Sequence, residues 1–91
     1  MGLGYILLAT RNTLAHPRLG LAVSKKHARR AVDRNRIKRV ARESFRYHQH
    51  SLMGLDIVVL ARHKIIDISS KNLRMDLDNR WEKLVKEVRV I

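Results

Sequence analysis

The sequence predicts an α+β fold: a small mixed sheet with helices packed on it, in the order β-β-α-β-α, forming a single domain over residues 1–91. Three observations point there. In residues 18–25, RLGLAVSK, the apolar Leu19, Leu21 and Val23 alternate with Gly20, Ala22 and Ser24, the period of two that a half-buried strand requires. Residues 31–48 and 70–89 carry apolar stripes at the helical period instead. Between them, residues 57–61 form an unbroken apolar run, IVVLA.

Taken in order, Tyr5 to Thr10 is rich in apolar and β-branched residues and predicts the first strand. Asn12, Thr13 and Pro17 mark the loop after it. Residues 18–25 give the second strand, and the two are expected to pair as an antiparallel hairpin. A helix follows from Ala31 to His48. On a wheel of about 100° per residue, Val40, Ala41, Ser44 and His48 fall within about 60° of Ile37, and Phe45 lies near 80°. That stripe faces the core. Gly54 ends the next loop. The run at 57–61 predicts a strand covered on both faces, hence central in its sheet. Strand 18–25, helix 31–48 and strand 55–61 then make a βαβ unit, whose crossover ordinary statistics would make right-handed. Residues 62–72 connect to the last helix, with Ser69 or Ser70 as N-cap. Leu73, Leu77, Trp81, Leu84, Val85 and Val88 form its buried stripe. Asp76 and Asp78 fall toward its start and Arg89 at its end, as the helix dipole favours.

Charge narrows the function. The chain of 91 residues carries a formal net charge of +12, with a pI near 11.4. Residues 1–49 hold twelve Lys/Arg and two acids, whereas residues 50–91 hold eight and six. A one-signed field on half of a small domain implies a polyanionic partner, nucleic acid before an anionic membrane. With no cysteine, disulfides and thiolate metal sites are excluded, which fits a cytoplasmic location. No apolar run approaches the length of a membrane span, and the opening MGLGYILLAT lacks the basic start of a signal peptide.

The basic residues fall in an ordered way. Asn35, Lys38, Arg39, Arg42 and Arg46 cluster between about 100° and 200° on the wheel, a ridge along one side of the helix. A row of guanidinium groups becomes favourable when an anion lattice lies opposite. Phosphates along a nucleic-acid strand form such a lattice, and Arg grips each with paired hydrogen bonds. Lys25, Lys26, Arg29 and Arg30 extend the patch. The Asn35 amide either reads a base edge or 2′-hydroxyl, or braces the first helical turn. Phe45 and Trp81 lie on apolar stripes and are read as core, while Tyr5 and Tyr47 are open to either use. Asp33 and Glu43 are expected to relieve repulsion locally, Glu43 by pairing with Arg39 or Arg46. His48 and His50 point to different helical faces and make a poor metal pair. There is no phosphate loop, no nucleophile motif and no acid pair placed for general acid–base work. The residues describe a binding module without catalytic residues of its own.

RLGLAVSKK, then AVDRNRIKRVARESFR, then DIVVLAR together resemble the protein component of bacterial ribonuclease P, over roughly residues 5–89. The resemblance implies an enzyme whose catalytic centre lies in a large RNA. That RNA, with bound Mg²⁺, hydrolyses a phosphodiester to remove the 5′ leader of precursor tRNA. The protein would bind the catalytic RNA and the precursor tRNA in the bacterial cytoplasm. On this likeness Arg34, Asn35, Arg36, Lys38, Arg39 and Arg42 match the family's RNA-facing helix, and Lys25 and Lys26 its basic strand end. It also implies a left-handed βαβ crossover, against the general rule. Family members have the order αβββαβα, so the chain is expected to lack an N-terminal helix that helps bind the leader. Loss of that cover would expose apolar sheet surface and invite self-association. The same basic helix would also serve a structural RNA-binding protein such as a ribosomal protein, or a DNA reader, though a duplex reader needs a second element to set its register.

Overall fold

Both outer strands of the sheet pair with the strand that comes last in the sequence. The computed structural model describes residues 4–14 and 16–90, with side chains described to Glu87. Strand β1 is Tyr5–Arg11, β2 is Arg18–Ala22, helix α1 is Ala31–Tyr47, β3 is Leu55–Ala61 and helix α2 is Ser70–Val90. Sheet order is β1-β3-β2, with β1 antiparallel and β2 parallel to β3. The mixed α+β layout is as the sequence predicts, but the expected β1–β2 hairpin is not made. The connection is an open loop rather than a two-residue turn, and it carries the chain across the start of β3. The Asn12 backbone N–H donates to the Gly54 carbonyl at 2.8 Å, and its side-chain Nδ2 donates to Asp56 at 2.7 Å. Its Oδ1 accepts from the Leu14 N–H at 2.9 Å, an Asx turn. Inserting β3 between the other two puts the most apolar strand where burial is greatest.

The expectation that β3 is covered on both faces also fails. Leu55, Ile57, Val59 and Ala61 are buried, whereas Val58 is exposed and Asp56 and Leu60 are half-buried. Register places Tyr5, Leu7 and Ala9 of β1 and Leu19 and Leu21 of β2 on the buried face. There they meet Ile37, Val40 and Ala41 of α1 and Leu73, Leu77 and Trp81 of α2 in one core. Layering is thus helix on sheet, with the core on one side only. On the open face Ile6, Leu8 and Val58 stand exposed around the Arg18–Asp56 ion pair, 2.5 Å long. That pairing, with Asn12 second, holds the Asp56 carboxyl down to about 2.

Local chemistry fixes the element ends. β2 stops at Ala22 rather than Lys25, because the Ser24 carbonyl accepts from the His27 and Ala28 N–H groups and bends the chain. Lys25 and Lys26 therefore sit in a turn, not at a strand end. Ser69 is the N-cap of α2, its Oγ accepting from the Asn72 N–H at 3.1 Å. Gly4 has φ +84°, and a Cβ there would come within 2.8 Å of the Ile65 Cα. Only glycine permits that approach, where its carbonyl accepts from the Arg62 N–H. Leu84 and Val85 pack partly buried as expected, and the Val88 and Arg89 side chains lie outside the described residues.

Candidate nucleic-acid interface

Helix α1 begins without a side-chain cap. Arg30 occupies the N-cap in an extended conformation and makes no cap hydrogen bond. Its Nε pairs instead with Asp33 at 3.0 Å, which holds that carboxyl below the usual carboxylate range. Arg34 turns back, its Nη1 donating to the carbonyls of Ala28 at 2.9 Å and Arg29 at 2.8 Å. Arg36 reaches the other way. Its Nη1 donates to the Ile68 carbonyl at 3.0 Å and to Ser70 Oγ at 3.3 Å, and its Nη2 to the Ile66 carbonyl at 3.4 Å. These guanidinium groups brace the segments on either side of the helix entrance.

The rest of the ridge is free. Asn35, Arg39, Arg42 and Arg46 are exposed and Lys38 is half-buried. None of the five donates to or pairs with another described residue. Glu43, expected to pair with Arg39 or Arg46, engages neither. Asn35 is not a cap, so its amide also stands open. Lys25, Lys26 and Arg29 are exposed beside the helix entrance. Between β2 and the ridge lies a cleft of about 420 Å³, with Leu19, Leu21 and Phe45 as floor and Lys38, Arg42 and Arg46 as wall. Gln49 closes one end. The cleft was missed in sequence because the stripe reading assigned Phe45 to the core. Phe45 does meet Trp81 edge-on, with ring centroids 6.1 Å apart at 74°, yet it is only half-buried and also lines the cleft.

Behind the ridge a polar seam joins the two helices. Trp81 is fully buried and its Nε1 donates to Ser44 Oγ at 2.7 Å, while Ser44 donates to Asp78 at 2.5 Å. Asp78 also pairs with Arg74 at 3.1 Å, and the Arg74 guanidinium lies 4.9 Å over the exposed Tyr47 ring. Tyr5 is buried, and its hydroxyl donates to Asp76, which pairs with Arg80. Burial first, and then that hydrogen bond, push the phenol well above its usual titration range. Asp76 and Asp78, expected to serve the dipole, thus anchor α2 to β1 and α1. No described group of three or more His, Asp or Glu could hold a metal ion. His48 Nδ1 lies 2.9 Å from the Ser44 carbonyl, as a C-terminal brace of α1.

A small α+β domain with one free arginine ridge, an apolar-floored cleft beside it and no acidic counterwall is of the polyanion-binding class. A sequence model of the Ribonuclease P family matches residues 2–85. The chain is 52% identical over 80 residues to the ribonuclease P protein component of Idiomarina loihiensis, covering 88% of this chain and 64% of that protein. It is 48% identical over 88 residues to that of Chromohalobacter salexigens, covering 97% and 69%. Among solved structures, the RNase P protein of Thermotoga maritima superposes with a TM-score of 0.77 at 30% identity, covering 91% of this chain and 79% of that one. That of Staphylococcus aureus gives 0.72 at 34% identity, covering 94% and 75%. The chain belongs to the ribonuclease P protein family. It spans about two thirds of the length of the curated relatives it matches.

Proposed function

We propose that the chain acts as the protein subunit of a ribonuclease P ribonucleoprotein. It binds the catalytic RNA and precursor tRNA and assists endonucleolytic removal of the 5′ leader in the bacterial cytoplasm. The observation that carries this reading is the ridge of Arg39, Arg42 and Arg46, exposed and without protein partners, running one way along α1. Such a row binds successive phosphates and releases their condensed counterions, so its affinity falls steeply with salt. Asn35, at the entrance, offers an amide that recognises a 2′-hydroxyl or base edge where phosphate contacts alone carry no sequence information. The cleft beside the ridge gives unpaired bases an apolar floor below cationic walls.

The protein's part is electrostatic and positional. By neutralising phosphates it lets two polyanions approach, the catalytic RNA and the substrate, which would otherwise repel. Mg²⁺, which supplies the hydrolytic chemistry when bound, belongs mainly to the RNA in this proposal. The exposed Arg39, Arg42 and Arg46 are cationic and do not suit a hard divalent ion, which takes oxygen ligands. Among described residues no helix is long and apolar enough to cross a membrane. Cleavage of precursor tRNA by the cognate RNA at low Mg²⁺, with and without this chain, tests the proposal. Acceleration by the chain is expected, and no effect at any concentration would refute it.

A further inference from the structure

Beyond β3, His63 and Lys64 face the cations of the turn and helix entrance across a cleft that the ridge does not account for. A cleft of about 490 Å³ opens at the entrance of α1. One wall is Lys26, His27, Arg29 and Arg30, and the facing wall is His63 and Lys64 from the β3–α2 connector. Ile66 contributes an apolar patch, and Asp33 and Asp67 are the two acids present. Asp33 is already neutralised by Arg30. That leaves Lys26, Arg29 and Lys64 against Asp67 alone, with none of the four paired to another described residue. Like charges gathered across a cleft repel each other unless an anion sits between them.

Two features hold the facing wall in place. Arg36 donates to the Ile66 and Ile68 carbonyls and to Ser70 Oγ, which laces the connector to α1. Lys64 has φ 71°, the sole positive value of a non-glycine among described residues, at the start of the 3₁₀ turn Ile65–Asp67. Glycine would take that backbone without penalty. A lysine there therefore costs stability, and its charged end is what the cleft receives in exchange.

We propose that the RNA interface has a second wall, His63 and Lys64, and that the cleft between it and Lys26–Arg30 takes one backbone phosphate. Arg36 is a positioning residue that holds this wall rather than a phosphate ligand. The inference rests on the RNA-binding reading above and extends it to the connector.

The test measures affinity for a transcript of the cognate ribonuclease P RNA across a KCl series, with melting temperature beside it. Lys64→Gly removes the charge and relieves the backbone. It is expected to weaken binding by roughly threefold or more and to reduce the log–log salt slope by about one unit, with melting temperature held or raised. Arg36→Lys keeps the charge but cannot reach three acceptors. Weaker binding, faster amide exchange at Asp67 and Ile68, and little further loss when combined with Lys64→Gly are expected of it. An unchanged slope in Lys64→Gly, while Arg39→Ala lowers it, would overturn the second wall and leave the ridge intact. Unchanged exchange in Arg36→Lys would overturn the positioning role. No effect of either Arg39→Ala or Arg42→Ala would instead sink the RNA reading beneath both.

Discussion

Arg34 and Arg36, in the first turns of α1, direct their N–H groups at the protein's own carbonyls. Arg39, Arg42 and Arg46, one to three turns further on, direct theirs at solvent. Residue type is the same in both regions, and so is the helix. What differs is angular position. On the wheel Arg34 and Arg36 lie outside the ridge arc and next to neighbouring chain segments, where unpaired carbonyls need donors. The ridge arginines lie along the cleft beside β2 and toward solvent, where no described group pairs with them. Within one arginine-rich motif, then, Arg34 and Arg36 are engaged by the protein's own carbonyls, whereas Arg39, Arg42 and Arg46 have no partner among the described residues.

Substitutions can break this contrast, beginning with the packing beneath it. Trp81→Ala removes a fully buried indole and leaves Ser44 without its donor. A loss of about 3–5 kcal/mol is expected by urea unfolding, enough to unfold much of a domain this small. Arg36→Ala comes next. Three hydrogen bonds from a half-buried cation disappear, and about 1.5–3 kcal/mol should be lost in the same assay. Arg39→Ala and Arg42→Ala should each change stability by no more than about 0.5 kcal/mol. Each should nonetheless lower the log–log salt slope of RNA binding by roughly one unit. If the frame variant and the ridge variants gave the same stability change, the division between them would be wrong.

The smallest effect lies on the open face of the sheet and provides a control with no RNA in it. Asp56 has its folded-state titration lowered to about 2 by Arg18 and Asn12. A depressed carboxyl stabilises above its unfolded value, near 4, and that contribution fades as pH falls toward 2. Wild type should therefore lose stability between about pH 4 and 2 more steeply than Asp56→Asn, in thermal melts at each pH. Equal slopes would mean the Arg18–Asp56 contact is not held in solution.

Much of this was legible before any coordinates. Helix α1 was readable because Lys38, Arg39, Arg42 and Arg46 share one arc and its apolar residues another, a pattern that only the helical period produces. Helix α2 was readable from Leu73, Leu77 and Trp81 in the same way. The hairpin failed because the rule behind it is local, whereas β1 chooses a partner some fifty residues away. Nothing near Arg36 in sequence signals that its acceptors lie at Ile66 and Ile68. Asp76 and Asp78 were assigned to the dipole since Tyr5 and Ser44, their actual partners, are far along the chain. Phe45 was half read, because the wheel angle near 80° belongs equally to a core edge and a cleft floor.

Sheet order has a consequence for how the chain acquires its shape. β1 and β2 bond only to β3, so no interstrand ladder exists until Leu55 to Ala61 has left the ribosome. Until then the first fifty residues are a sticky, strongly cationic string whose own charges hold it apart. Newborn copies should consequently be slow to collapse.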